Sequence, residues 1–525
     1  MSNDNQVGAA PNAKRLLWAG FMAILAAGVG FSVRGGILGQ WANQFGFTMT
    51  ELGAITGGGL TGFGIVIIVT SLVADKIGYG KLMALSFLCA VVSAVITLAA
   101  PIAFESGGKS SAFWCLSVGM FLFSIGNGLA EAVVNPLTAA LFPKDKTHYL
   151  NILHAGWPAG LVLGGLASAM MAASIGDDGT VVKAAVDWRI QMSLYLIPVL
   201  VFGFMMLGQK FPKSEAAAAG ATLGEMVSTL FAPLMLLLLV IHAMVGYVEL
   251  GTDSWIAKIT GSIMASPAKG LSLFVYTSTL MFVLRFFAGP IVHKISPLGL
   301  LFVSGILGAI GLTMLGSAST VIACVVAATV YALGKTFLWP TMLAVVSERF
   351  PKGGAVSIGM LGGAGMLSAG LLGGPAIGFK QDYNASAELK AKAPETYERY
   401  KADEPSHFLN FDTVGLNGAK VGVLEDGGKE LNRVGELLAS ENREDPNHAK
   451  LAEWWEDAKT HADQDKPEVQ HATIYGGQTA LKLTAYVPAT MAVLYLLLII
   501  GFKMAGGYKP VELEEAPEAL GTGES

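Results

Sequence analysis

Between Phe113 and Phe142 the chain is apolar for long enough to cross a bilayer, and a glutamate stands in the middle of that run. An ionisable side chain at membrane depth is costly unless it faces a protein interior or a watery cavity, so it marks a functional site by default. Asn127, Glu131 and Asn135 are spaced four residues apart, which stacks them on one helix face. A helix with one polar stripe and lipid-compatible residues elsewhere reads as the wall of a solvated pathway.

Similar runs recur along the 525 residues, at 16–40, 50–73, 82–104, 112–141, 150–175, 188–208, 229–256, 270–293, 297–317, 320–348, 354–379 and 480–505. Each suits the roughly 17–25 residues of a spanning helix. The chain is 53% hydrophobic and 14% charged, whereas ordinary soluble domains carry roughly 25% charged residues. An all-α polytopic membrane protein with twelve spans is the expected fold. The net charge of -5 is spread along the chain and points to no nucleic-acid partner. Cys89, Cys115 and Cys324 are isolated in apolar runs, which fits neither a disulfide framework nor a metal site.

The basic residues give the orientation. With Met1 to Ala13 as a retained internal tail, the inner side collects Lys14, Arg15, Lys76, Lys81, Lys144, Lys146, Lys210, Lys213, Lys294, Arg349, Lys352, Lys503 and Lys509. The short external loops hold only Lys109, Lys183, Arg189, Lys258 and Lys269. Both termini are expected inside.

An internal repeat is visible. Phe142-Pro143-Lys144 closes the fourth span and Phe350-Pro351-Lys352 the tenth, each followed by a glycine-rich helix. This organisation predicts a six-helix bundle over 1–208, an internal linker at 209–228, and five further helices over 229–379. An external insert at 380–473 precedes the last span and tail, 474–525. Repeated halves of this kind build many secondary carriers, with the substrate site near the midplane between them. The 65 glycines, including Gly57-Gly58-Gly59 and Gly362-Gly363, fit close helix packing. No Walker pattern is present, so nothing suggests a nucleotide-driven pump.

In the insert, 429–440 and 447–460 carry spaced apolar positions (Leu431, Val434, Leu437 and Leu438; Leu451, Trp454, Trp455 and Ala458), which predict short amphipathic helices capping the outer face. The segment holds no nucleophile–base pair and no metal-ligand cluster. A structural cap or loop is the main reading and a partner-binding or substrate-capturing lid the alternative.

Polar groups inside the other spans complete the candidate set. Arg34 in span one, ahead of Gln40 at the outer end, needs an anion, carbonyl oxygens or a carboxylate at that depth. It is either a ligand for a substrate oxygen or a structural counter-ion. In span five Asn151 and His154 share a face. An amide suits hydroxyl groups, the Trp157 indole can stack on a sugar ring, and an imidazole is suited either to a proton relay or to a structural role. His242, Glu249 and Asp253 lie roughly on one face of span seven, lining a cavity or forming ion pairs. Span eight carries Arg285. Span ten carries Tyr331, Lys335 and Trp339 at four-residue spacing, mirroring span four, so Lys335 facing Glu131 across the cavity is an expected charge pair.

Asp75-Lys76-Ile77-Gly78-Tyr79-Gly80-Lys81, between spans two and three, resembles the signature loop of the major facilitator superfamily. A carboxylate and cations at helix ends can latch those ends by charge and dipole contacts, so Asp75, Lys76, Lys81 and Arg285 form the expected gating set. More narrowly, Glu131-x-x-x-Asn135-Pro136 followed by Leu150-Asn151 is similar to the fucose–galactose–glucose proton-symporter family. That resemblance implies a proton-coupling glutamate, here Glu131, with neighbouring asparagines contacting a sugar. The chain departs from the family at span one, where a second acid is expected and Arg34 stands instead.

The expectation is therefore a monomeric inner-membrane carrier in the bilayer, moving a small solute with a proton by alternating access of two bundles. A sugar is the first choice. An organic anion or sugar acid held by Arg34, Arg285 or Lys335 is the rival, and a non-transporting nutrient sensor the reading from another class. No enzyme activity, cofactor or metal is expected.

Overall fold

The computed structural model describes residues 11–47, 49–57, 59–172, 174–175, 181–183, 185–440 and 444–513. The start of the expected internal tail, Gly58, the Glu441–Arg443 run and the last twelve residues, 514–525, lie outside them. Among the described residues, twelve helices are long and apolar enough to cross a membrane. Spans one to six are Ala13–Ala42, Ala54–Ile77, Tyr79–Leu98, Ala100–Leu141, Lys146–Met171 and Trp188–Met206. Spans seven to twelve are Pro233–Ile263, Pro267–Arg285, Ala288–Leu315, Val321–Arg349, Pro351–Lys392 and Pro446–Met504.

The ends differ from the expected ones where helix and apolar run part company. The stretch Ala100–Leu141 is two helices meeting at Gly107 and Gly108, and Gly108 has φ of 69°, a conformation that suits glycine. Span seven starts at Pro233, after the short turn Thr229–Phe231, with proline in the first turn where its missing N–H costs nothing. In the segment between spans six and seven, Thr222 and Glu225 form a reciprocal cap that starts the helix Leu223–Ser228.

The first six spans meet the last six at seams where span two runs along span eleven and where span five packs on spans eight and ten. Glycines allow the close approach. A Cβ at Gly64 would sit 3.1 Å from the Gly363 carbonyl oxygen. Within the first six spans, Gly28 and Gly160 let spans one and five touch backbone to backbone.

Beyond its apolar stretch, span eleven continues as the helix Gly374–Lys392, and the chain returns along Ala462–Thr484 into Tyr486–Met504. The expected insert boundaries at 380 and 473 therefore fall inside continuous helices. Composition marks where lipid ends, not where backbone hydrogen bonding ends. Between these two stalks Lys429–Ser440 and Pro446–Ala458 form the expected short helices. They gather around their own apolar core, which includes Leu389, Tyr400, Leu424, Trp455 and Val469. Asp465 is fully buried there and accepts hydrogen bonds from Thr396 and Arg399.

The opposite end, which carries Lys76, Lys144, Lys294 and Lys352 and is called here the basic end, is tied across the halves. Lys146 Nζ reaches Glu215 of the linker at 2.6 Å and the Ser347 carbonyl at 3.2 Å. Thr147 donates to Glu348, whose other carboxylate oxygen accepts from the Tyr508 hydroxyl of the tail at 2.5 Å.

Candidate functional site

Where spans four, five, seven, eight, ten and eleven converge, a small cavity is lined by Glu131, His154, Trp157, Glu249, Leu250, Arg285, Trp339 and Met366. The first three come from one half of the chain and the others from the second. Six of these residues were legible in the sequence as polar or aromatic groups in apolar runs. Leu250 and Met366 were not, because nothing in an apolar residue's identity tells a cavity wall from a core.

The first-half wall is a chain of hydrogen bonds running from a carboxyl through an amide to an imidazole. Asn135 Nδ2 donates to Glu131 Oε2 at 2.6 Å, and Asn135 Oδ1 lies 2.8 Å from His154 Nε2. With the amide in that orientation the imidazole nitrogen is the donor. Glu131 has no cation hydrogen-bonded to it.

The second-half wall is ionic. Glu249 sits in a π-helical turn, Tyr247–Gly251, which breaks the regular ladder of span seven. Turns of this kind are frequent at functional sites. Its Oε1 accepts from Arg285 Nη2 at 2.9 Å, while Oε2 is buried with no protein partner. Lys335 is fully buried and paired with Asp253. The expected Lys335–Glu131 pair is thus corrected. Asp253, one turn along span seven from Glu249, holds the ammonium on the second half's own side, and the cation next to Glu131 in the cavity wall is Arg285. The His242 ring lies against Trp339, tilted by 57° with ring centroids 4.6 Å apart, and neither ring nitrogen has a protein partner.

Other candidates lie elsewhere. Arg34 is buried inside the first six spans, away from the cavity. Its Nη1 donates to the Gly30 carbonyl, its Nη2 to Ser93 Oγ, and its guanidinium lies 3.8 Å from the centre of the Phe123 ring. It has no carboxylate partner, so the counter-ion reading fails and carbonyl, hydroxyl and π-faces hold the charge. Gln40 donates to the Val186 carbonyl at the end away from the basic end. Asn127 is buried with its amide nitrogen unpartnered, and is not among the cavity-lining residues. Asn151 lies below the cavity, donating to the Thr147 carbonyl and to Thr341 across the seam. Asp75 is half-buried beside Gly354 at the start of the helix Gly354–Ser368, whereas Lys76 and Lys81 are exposed. Arg285, expected in the gating set, lines the central cavity. Among the described residues no group of acids, histidines or cysteines could hold a metal ion.

The family profile of the Major Facilitator Superfamily matches residues 20–374. The chain belongs to this superfamily of transporters. Its fold resembles FucP, the E. coli fucose:proton symporter, in the outward conformation, at 15% identity and TM-score 0.55 over 69% of this chain and 91% of that one. It resembles a bacterial homologue of the human lysosomal transporter Spinster, inward-facing and unoccupied, at 14% identity and TM-score 0.58 over 96% of this chain and all of that one, 100%. It also resembles the human organic anion transporter MFSD10, at 14% identity and TM-score 0.51 over 70% and 93%. No curated protein sequence matches significantly. Identities this low establish the shared fold. The match makes the chain a membrane transporter and not an enzyme.

Proposed function

We propose that the protein is a proton-coupled carrier of a small neutral polar solute, a sugar in the first instance, and that Glu131 carries the coupling proton. The observation behind this reading is the contrast in partners at the cavity. Arg285 and Lys335 are each committed to a carboxylate, Glu249 and Asp253, while Glu131 rests on the neutral Asn135. Adding or removing a proton at Glu131 breaks no ion pair. The Trp157 and Trp339 indoles in the wall offer ring faces for the C–H surface of a sugar. The second acid that the symporter resemblance expects in span one has its counterpart in Glu249 of span seven, on the opposite wall.

The same pairing disfavours an organic anion. Its carboxylate would have to displace Glu249 or Asp253 from a cation already satisfied, and Arg34 is out of reach of the cavity. The bias of basic residues supports an inner-membrane orientation with the basic end and both termini in the cytoplasm and the insert outside. The division at 209–228 separates two bundles that rock about the seams, and the carrier works as a monomer.

In proteoliposomes, Glu131→Gln is expected to abolish accumulation driven by a pH gradient while sparing exchange of labelled substrate. Full accumulation by that variant would remove the proposal. A thermal-shift screen of the purified protein against sugars and sugar acids identifies the cargo, and stabilisation by sugar acids alone would favour the anion reading.

A further inference from the structure

Arg285 makes more of its hydrogen bonds to backbone than to side chains. Its Nη1 donates to the His154 carbonyl at 2.5 Å, its Nε to the Thr336 carbonyl at 2.9 Å, and only Nη2 reaches Glu249. Carbonyls in mid-helix are ordinarily taken by the N–H four residues on. In both places that residue is a proline: Pro158 follows His154 by four, and Pro340 follows Thr336 by four. Proline has no N–H to donate, so each carbonyl is left free. Helical bonding resumes at once, with Ala159 N–H to the Ala155 carbonyl and Thr341 N–H to the Phe337 carbonyl, each at 3.2 Å. The helices are not broken open. One acceptor is released in each, and the same guanidinium takes both.

The two bonds are not equivalent. Thr336 and Arg285 both belong to the second six spans and keep their relation when the halves move. His154 belongs to the first six, so its bond to Arg285 crosses the span five–span eight seam. The His154 ring is in turn bonded to Asn135 and so to Glu131. We propose that Arg285 is the latch between the two halves, that Pro158 creates its catch by freeing the His154 carbonyl, and that Pro340 aims the guanidinium by freeing the Thr336 carbonyl. Arg285 and the two prolines are positioning residues, and the latch rests on the alternating movement of the halves and not on the identity of the cargo. Release of Arg285 from His154 is then a required event each time the basic end opens.

The test reads conformation directly. Spin labels are placed on Lys144→Cys and Lys294→Cys, two exposed positions at the basic end on opposite halves, after the three native cysteines are replaced. Distances are measured by pulsed electron resonance in lipid nanodiscs. Pro158→Ala returns an N–H that competes for the His154 carbonyl, and the population with separated labels should rise roughly tenfold, as expected for loss of a hydrogen bond to a charged group. Pro340→Ala should give a smaller rise. Pro488→Ala in span twelve, which restores an N–H opposite the Thr484 carbonyl away from the cavity, should give none. An unchanged distribution for Pro158→Ala, or an equal shift for Pro488→Ala, overturns the latch. Should Pro158→Ala fail to fold, Arg285→Gln combined with Glu249→Gln removes the latch while leaving no stranded carboxylate, and the same separation is expected. Absence of that separation is equally decisive. Failure of sugar or proton coupling leaves these distances unaffected, so the two proposals fail separately.

Discussion

Glu131 and Glu249 face one cavity from opposite halves of the chain, yet their surroundings have little in common. Glu131 leans on an amide that leans on an imidazole, and no cation is hydrogen-bonded to it. Glu249 leans on a guanidinium, and one turn away Asp253 holds an ammonium. A neutral wall can change its proton count at the cost of hydrogen-bond rearrangement, whereas an ionic wall that loses one partner leaves an unpaired charge at membrane depth. On the proposed function, titration belongs to the first half and fixed geometry to the second.

The contrast is breakable. The largest effect is expected from Lys335→Met, which strands Asp253 and should cost about 3–5 kcal/mol, seen as a steep fall in the melting temperature of the detergent-solubilised protein. Asp253→Leu added to Lys335→Met should recover most of it, and failure to recover would mean that Lys335 acts through something other than the pair. Next comes Asn135→Ala on the neutral wall, expected to cost about 1–3 kcal/mol because Glu131 and His154 lose a common partner. A loss equal to that of Lys335→Met would erase the distinction between the walls. The smallest effect is expected from Arg34→Met. It removes a buried cation that has no carboxylate, so stability should stay within about 1 kcal/mol and the KM for uptake should not change. A large rise in KM would return Arg34 to the substrate site.

Much of this arrangement is legible in the sequence, and the part that is not has a common cause. Glu131, His154, Glu249 and Trp339 stand out because polar or aromatic groups in an apolar run must face something other than lipid. Their partners do not stand out. Lys335 and Asp253 are 82 residues apart, and spacing along one helix gives its polar face but not which face of another helix lies opposite. Symmetry between spans four and ten suggests Glu131 for Lys335, and packing selects the nearer acid on span seven. Arg34 shows the same limit. Its depth is plain from the sequence, but its rotation toward Ser93 and Phe123, away from the cavity, is set by how spans one, three and four dock. Pro158 and Pro340 are visible as helix irregularities, while their use depends on one arginine more than 50 residues from either.

The insert adds a practical property. Its apolar core is seated on the helices Gly374–Lys392 and Ala462–Thr484, which lead out of span eleven and into span twelve, so it is a compact mass anchored to a single half. For single-particle imaging, a helical transporter of this size offers few landmarks beyond its detergent belt. Here the chain carries its own fiducial, against which the tilt of the first six spans can be registered frame by frame.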